Sequence, residues 1–354
     1  MSVPVIRAGS DGQISELLSP IRQSHNLPAL AGAIVTSKGL VAAAAVGVRK
    51  AGTDIPVQID DQWHLGSDTK AMTAVVVASL IEQGRLKWES TIEQLFPELE
   101  STFPATFRKI TVLQLLSHHA GLPANINWRA VSQSGTLSEQ RVEALKTAAS
   151  TRLLSEPGTK FEYSNLGYVI AGAIAERVAK APWEELITRI VFKPLGMKTV
   201  GFGGTGTPGK VDQPWPHFAN GTPTQNNGPA MDNPPVMGPA GTVHCSIADW
   251  AKFIVDQLRG ERGEGMLLKP EIYKKLHTPP FDGDYALGWL VTQRDWGGGT
   301  VFTHAGSNTM NYAVVWISPL RDFAVLVCTN QGGAEAAKAC DEAAAALIRL
   351  HTKT

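Results

Sequence analysis

Three short stretches hold side chains that could do chemistry together. The first is HLGSDTKAM, residues 64–72, the one place where a serine stands three positions before a lysine. On a helix such residues share a face, so the Lys70 amine would reach the Ser67 hydroxyl. A serine hydroxyl attacks poorly until a base takes its proton. A lysine is that base only when burial or a nearby cation pulls its pKa down from about 10.4. The apolar run AMTAVVVASLI behind Lys70 predicts a dry site of that kind. Taken alone, the pair reads more readily as a serine at a helix start and a surface lysine, because so short a motif is common by accident.

The second stretch is Tyr163-Ser164-Asn165 in EPGTKFEYSNLGYVIAG. A phenol there could relay a proton, and an amide could hold a substrate carbonyl and the lysine amine. The plainer reading is a packed aromatic followed by Asn165 as a helix N-cap. The third is His304-Ala305-Gly306-Ser307, between the strand-like runs TVFTH and NYAVVWIS. Gly306 would let another backbone approach, and the Ser307 N–H could pair with that of Ser67 around an oxyanion. Its plain alternative is a polar turn.

The elements that must carry these residues follow from pattern. A helical face of Ile14, Leu17, Leu18 and Ile21 opens the chain, and ALAGAIVTSKGLVAAAAVGV reads as a hairpin turned at Ser37-Lys38-Gly39, not as a membrane span. Helices are predicted at 67–84, 111–121, across SEQRVEALKTAAS and NLGYVIAGAIAERVAK, and after Pro182. Residues 201–241 are dense in Gly, Pro, Asn and Thr and too long for an ordinary connection, which reads as a functional lid or a disordered linker. Trp215, His217, Phe218, Met231 and Met237 in it would either wall an acyl pocket or anchor the loop. Ser246 to Asp249 reads as a capping box for a helix at 247–259. YALGWLV, TVFTH, NYAVVWIS and DFAVLVCTN read as strands, and AEAAKACDEAAAALIRLH as a closing helix.

Composition removes several function classes. Of 354 residues 43% are hydrophobic and 18% charged, as in a globular protein, and the net charge is zero with no long basic block, against nucleic-acid binding. Cys245, Cys328 and Cys340 are widely spaced and odd in number, against a disulfide framework and a zinc site. His118 and His119 are adjacent on a predicted helix and would not face one metal. Gly201 to Gly206 satisfies G-x-G-x-x-G without the strand-to-helix setting of a dinucleotide site. No cofactor is expected. The opening MSVPVIRAGSDGQ has no basic segment followed by an apolar one, which predicts a cytoplasmic protein, or a periplasmic one if a leader has been removed.

In their order, Ser67…Lys70, Tyr163…Asn165 and His304-Ala305-Gly306 resemble the S-x-x-K, Y-x-N and K-T-G motifs of the serine β-lactamase and penicillin-binding-protein superfamily. Y-x-N is similar to the class C branch, with its β-lactamases, D-Ala-D-Ala carboxypeptidases and family VIII carboxylesterases. LLSHHAGLP, FKPLGM and GPAGTVHCSIADWAKF add to the likeness, which spans about residues 12–350. The resemblance implies an α/β fold of the α+β type: an antiparallel sheet flanked by helices, with an inserted, mainly helical lobe. Residues 1–75 and 240–354 would form the sheet domain, and residues 76–239 the helical one, with the long loop at 201–241. It also implies Ser67 as nucleophile, Lys70 as its proton acceptor, Tyr163 as acid/base, Asn165 as a substrate contact, and the N–H groups of Ser67 and Ser307 as an oxyanion hole beside Gly306.

His304 departs from the lysine of K-T-G. That lysine offers a lasting charge to a substrate carboxylate, whereas an imidazole is mostly neutral at pH 7. The resemblance extends a histidine here to family VIII esterases and to some D-amino-acid peptidases, so the departure disfavours a β-lactamase without choosing between those two. The expectation is a serine carboxylesterase on short, uncharged esters, its partner a small-molecule ester or amide. Alternatives are a D-amino-acid amidase, a D-Ala carboxypeptidase or weak β-lactamase, and, in another class, a silent relative that binds acyl ligands or serves as a scaffold.

Overall fold

Alternation along the strands sets the layers. The computed structural model describes residues 10–133 and 135–353, so the first nine residues, on which the leader reading partly rests, lie outside it. In chain order the strands are β1 (Ala29–Thr36), β2 (Gly39–Gly47), β3 (Gln62–His64), β4 (Gly201–Phe202), β5 (Val243–Ser246), β6 (Leu290–Arg294), β7 (Gly299–Ser307), β8 (Tyr312–Ser318) and β9 (Phe323–Thr329). Six form one antiparallel sheet in the order β2-β1-β9-β8-β7-β6, and β3-β5-β4 form a second, smaller one. In β9, Phe323, Val325 and Val327 face one core, while Ala324, Leu326 and Cys328 face another. A strand apolar on both faces belongs in the middle of a sandwich.

The helices Ser10–Ser24 and Ala334–Lys353 close the first face, with Ile14, Leu18, Ala343 and Leu347 against Leu30, Val325 and Val327. Gly32 makes this approach possible: a Cβ there would stand 3.0 Å from Leu347 Cδ1. The helix Ile247–Arg259 covers the other face, with Trp250, Phe253 and Ile254 in the larger core. That core continues into the helices Thr69–Glu82, Leu137–Ala149 and Asn165–Ala179. Every residue from Thr69 to Leu80 is buried, so this helix shows no amphipathic stripe.

Several elements differ from the sequence expectation. The helix expected over 111–121 runs only Val112–Leu116, because His118 takes a left-handed backbone (φ 62). YALGWLV is mostly loop. Its strand starts at Leu290, and Gly288 (φ 89) lets the loop press on the helix Thr69–Glu82, where a Cβ would meet Ala71 Cα at 2.7 Å. The Ser246 cap is half a capping box. Ser246 Oγ accepts the Asp249 N–H, but the Asp249 carboxylate accepts from Lys198 and Thr199, and Thr199 Oγ1 takes the Ser246 N–H instead.

The long segment 201–241 carries β4, a 3-10 turn at Pro235–Met237 and a helical turn at Gly238–Gly241. Trp215 and His217 anchor it. The indole N–H donates to Thr224 O (2.9 Å) beneath the Lys50 ammonium, 3.5 Å from the ring. His217 Nδ1 donates to Asn330 O (2.8 Å), and its Nε2 accepts the Ala51 N–H (3.0 Å). Met237 is in the larger core, Met231 is half-buried and Phe218 is exposed.

Candidate active site

Ser67 is not a cap. It sits in a 3-10 turn, Gly66–Asp68, that runs into the helix Thr69–Glu82, whose N-cap makes no side-chain bond. Its hydroxyl instead meets two other side chains. Lys70 Nζ lies 2.9 Å from Ser67 Oγ, and the Tyr163 phenol donates to the same oxygen at 2.8 Å. Lys70 also donates to Asn165 Oδ1 (2.8 Å) and to the carbonyl of Ala240 (2.7 Å), and no part of it is exposed.

The second motif is held by its own local structure. Ser164, not Asn165, is the N-cap of the helix Asn165–Ala179, its hydroxyl accepting the Gly167 N–H at 3.0 Å. Asn165 is the first helical residue, with its amide fixed between Lys70 and Asn125 Oδ1 (3.0 Å). His118 Nδ1 accepts the Ser164 N–H, and its ring lies 4.4 Å from that of Tyr163. His119 stacks on Phe281 (4.5 Å), so the two histidines support different parts of this wall.

Two glycines bring the third motif against the first. A Cβ on Gly306 would fall 1.9 Å from Leu65 O and 2.6 Å from Ser67 N, and one on Gly66 (φ 51) 2.4 Å from Ser307 N. Bare backbone on both sides therefore gathers the nitrogens of Ser67 and Ser307 at one junction. The Ser307 hydroxyl turns away, donating to Asn311 O and accepting from Thr309 N.

His304 is buried behind this junction. Its Nδ1 faces Ala305 O at 2.9 Å, and a carbonyl only accepts, so the ring proton is on Nδ1. Nε2 is left to accept the Tyr285 O–H at 3.0 Å. Burial, with Lys70 nearby, drives the His304 pKa down to about 3. Burial likewise brings Lys70 down to about 7 and pushes Tyr163 up to about 12. Asp68, 3.8 Å from His304 Nδ1, has neither carboxyl oxygen hydrogen-bonded among the described residues, and burial raises its pKa well above the usual carboxyl range. Burial outweighs the pull of Asp68 on the Lys70 ammonium, so the lysine pKa still falls.

The seven residues singled out in the sequence meet at this one place. Sequence reasoning missed Ala240, Tyr285 and Asp68. Asp68 lies inside HLGSDTKAM but matches no side-chain pattern of known chemistry, and Tyr285 is in a run that reads as strand. Ala240 contributes a main-chain carbonyl, which residue type never reveals.

A protein named flp from Staphylococcus aureus is 24% identical over 328 residues, covering 91% of this chain and 63% of flp. The chain thus spans less than two thirds of that relative's length. Penicillin-binding protein 4 of Amycolatopsis lactamdurans is 24% identical over 341 residues, covering 90% of this chain and 84% of its own. The solved structure of a class C β-lactamase from Rhodobacter sphaeroides superposes with a TM-score of 0.74 at 18% identity, covering 96% of this chain and 99% of that one. The fold is thus the β-lactamase/penicillin-binding-protein fold, an antiparallel sheet flanked by helices. With the Beta-lactamase family description matched by residues 14–349, the stretch that holds all three motifs, the chain belongs to that family.

Proposed function

We propose that the protein is a serine hydrolase that forms an acyl-enzyme at Ser67 and acts as a carboxylesterase on short-chain, uncharged esters. Lys70 as an amine has two N–H bonds and one lone pair. The carbonyl oxygens of Asn165 and Ala240 take the two N–H bonds, and the lone pair is left for the Ser67 proton. Ser67 Oγ attacks the ester carbonyl as its proton passes to Lys70 Nζ. The oxyanion forms against the N–H groups of Ser67 and Ser307. Tyr163, kept protonated by burial, hands its proton to the departing alkoxide and is refilled through Lys70. Water then repeats the attack on the acyl-enzyme.

The preference for an uncharged ester rests on His304. Where the family's motif has a lysine for a substrate carboxylate, this chain has a buried, neutral imidazole with both nitrogens engaged. Penicillin-binding protein 4, by its name a penicillin binder, supports amide or lactam substrates as the second reading. A p-nitrophenyl ester series run beside nitrocefin and a D-Ala-D-Ala peptide tests the choice. The expected order of kcat/KM is acetate or butyrate ester far above the other two. A higher value for nitrocefin or the peptide would replace the ester reading. Ser67→Ala should lose both turnover and labelling by a fluorophosphonate, and a mutant still labelled would remove Ser67 as nucleophile.

A further inference from the structure

Asp232 lies in the long 201–241 segment, far in sequence from Ser67, yet its fully buried carboxylate reaches both sides of the glycine junction. Oδ2 accepts from His64 Nε2 at 2.8 Å, and Oδ1 accepts from Asn308 Nδ2 at 2.8 Å. His64 Nδ1 in turn accepts the Gly66 N–H at 3.1 Å. A backbone N–H only donates, so this bond fixes the imidazole proton on Nε2, aimed at Asp232. Asn308 uses its other atom, Oδ1, to accept from Met310 N (3.2 Å) and Asn311 Nδ2 (3.1 Å). One carboxylate is therefore tied to the residue before Ser67 through His64, and to the residue after Ser307 directly.

Gly66 stands in the left-handed region, and nothing but backbone separates it from Ser307. Such a junction has no side-chain packing of its own to set its spacing. We propose that Asp232 is a positioning residue that holds the Ser67 and Ser307 N–H groups at the separation an oxyanion needs, so that the oxyanion hole is complete only with the long loop docked. The proposal rests on Ser67 being the nucleophile. Its cause is geometric: an N–H donor displaced by a fraction of an ångström stabilises a developing oxyanion less, while ground-state ester binding hardly changes.

The test compares Asp232→Ala with Asp212→Ala in the full chain on p-nitrophenyl acetate, with hydrogen exchange read in parallel. Asp212 caps a turn of the same loop, accepting the Thr207 N–H at 2.9 Å, and touches neither side of the junction. Asp232→Ala is expected to lower kcat about 10- to 100-fold with KM little changed. Exchange should quicken in both segments, 60–70 and 303–312. Asp212→Ala should do neither. If Asp232→Ala does not fold, Asp232→Asn serves, because an amide has one acceptor atom and can satisfy His64 or Asn308 but not both. It should show a smaller loss of the same kind. A wild-type kcat in the Asp232 variants, an equal loss in Asp212→Ala, or unchanged exchange in either segment of the Asp232 variants would overturn the proposal. A wild-type protein inert to both the ester and a fluorophosphonate would overturn the functional reading itself, and the positioning role with it.

Discussion

Lys70 donates to two carbonyl oxygens and lies 2.9 Å from the Ser67 hydroxyl while wholly removed from water, and burial brings its pKa down to about 7. The amine is the form that accepts the Ser67 proton, so kcat/KM for an uncharged ester should rise with pH through about 7 and fall about tenfold per unit below it. Initial rates on p-nitrophenyl acetate from pH 5 to 9 check this. His304, held near 3, adds no step to that profile. The same shift bears on stability. Between about 7 and 10.5 the unfolded chain binds a proton at Lys70 that the folded chain does not, so stability rises with pH across that window. Lys70→Met lacks this dependence. It should melt above the wild type at pH 6, with the gap closing by pH 10 in thermal scans. Residue 304 carries a second expectation. A lysine there would stand beside Asp68, which is buried and has no hydrogen bond of its own among the described residues. His304→Lys alone would pair with the Asp68 carboxyl and direct its charge there, leaving little for a substrate carboxylate. Combining it with Asp68→Asn should raise the ratio of nitrocefin to p-nitrophenyl butyrate hydrolysis about 10- to 100-fold over the single mutant. A ratio raised fully by the single mutant would show that Asp68 does not capture the charge.

Elements place these residues by close backbone approach and by one buried ion network. Gly306→Ala would put a methyl 1.9 Å from Leu65 O, so β7 must move away from the turn Gly66–Asp68. A loss of at least about 100-fold in kcat is expected, with near-native circular dichroism. Arg141 is fully buried between the helices Leu137–Ala149 and Asn165–Ala179. It donates to Glu176, to Glu184 (2.5 Å) and to Val236 O (3.1 Å), just before the turn that presents Ala240 O to Lys70. Arg141→Ala leaves the Glu176 carboxylate buried without its cation, which should cost about 3–5 kcal/mol in urea unfolding. The sequence pattern marked the helices around Arg141 but not its role, because a lone arginine in SEQRVEALKTAAS looks like a solvated face. Elements with strong local signals were legible: the Ser37-Lys38-Gly39 hairpin turn, the Ser246 cap and the strands from TVFTH and DFAVLVCTN. YALGWLV and residues 111–121 were not, because Gly288 and His118 take backbone conformations that tertiary contacts impose.

At the scale of the whole molecule, the sandwich seals three thiols in different places. Cys245 is in the small sheet, Cys328 faces one core of the main sheet and Cys340 lies in the other, all with burial-raised pKa values. None should react with Ellman's reagent in the native protein, and all three should react together across a single guanidinium transition if both cores open as one unit. Early reaction of one thiol would reveal a layer that opens alone. The sequence by itself determined which side chains could carry the proposed chemistry, since Ser67, Lys70, Tyr163 and His304 are recognisable by type, spacing and order. It also determined the strand-helix-strand plan, because apolar alternation and helical periodicity are local properties. Tertiary structure alone decided which atoms meet. The Ala240 carbonyl, the Gly66–Gly306 junction, the neutral state of His304 and the split carboxylate of Asp232 each depend on contacts between residues far apart in the chain. Burial and hydrogen-bond geometry there arise only when distant segments pack, so no local pattern encodes them.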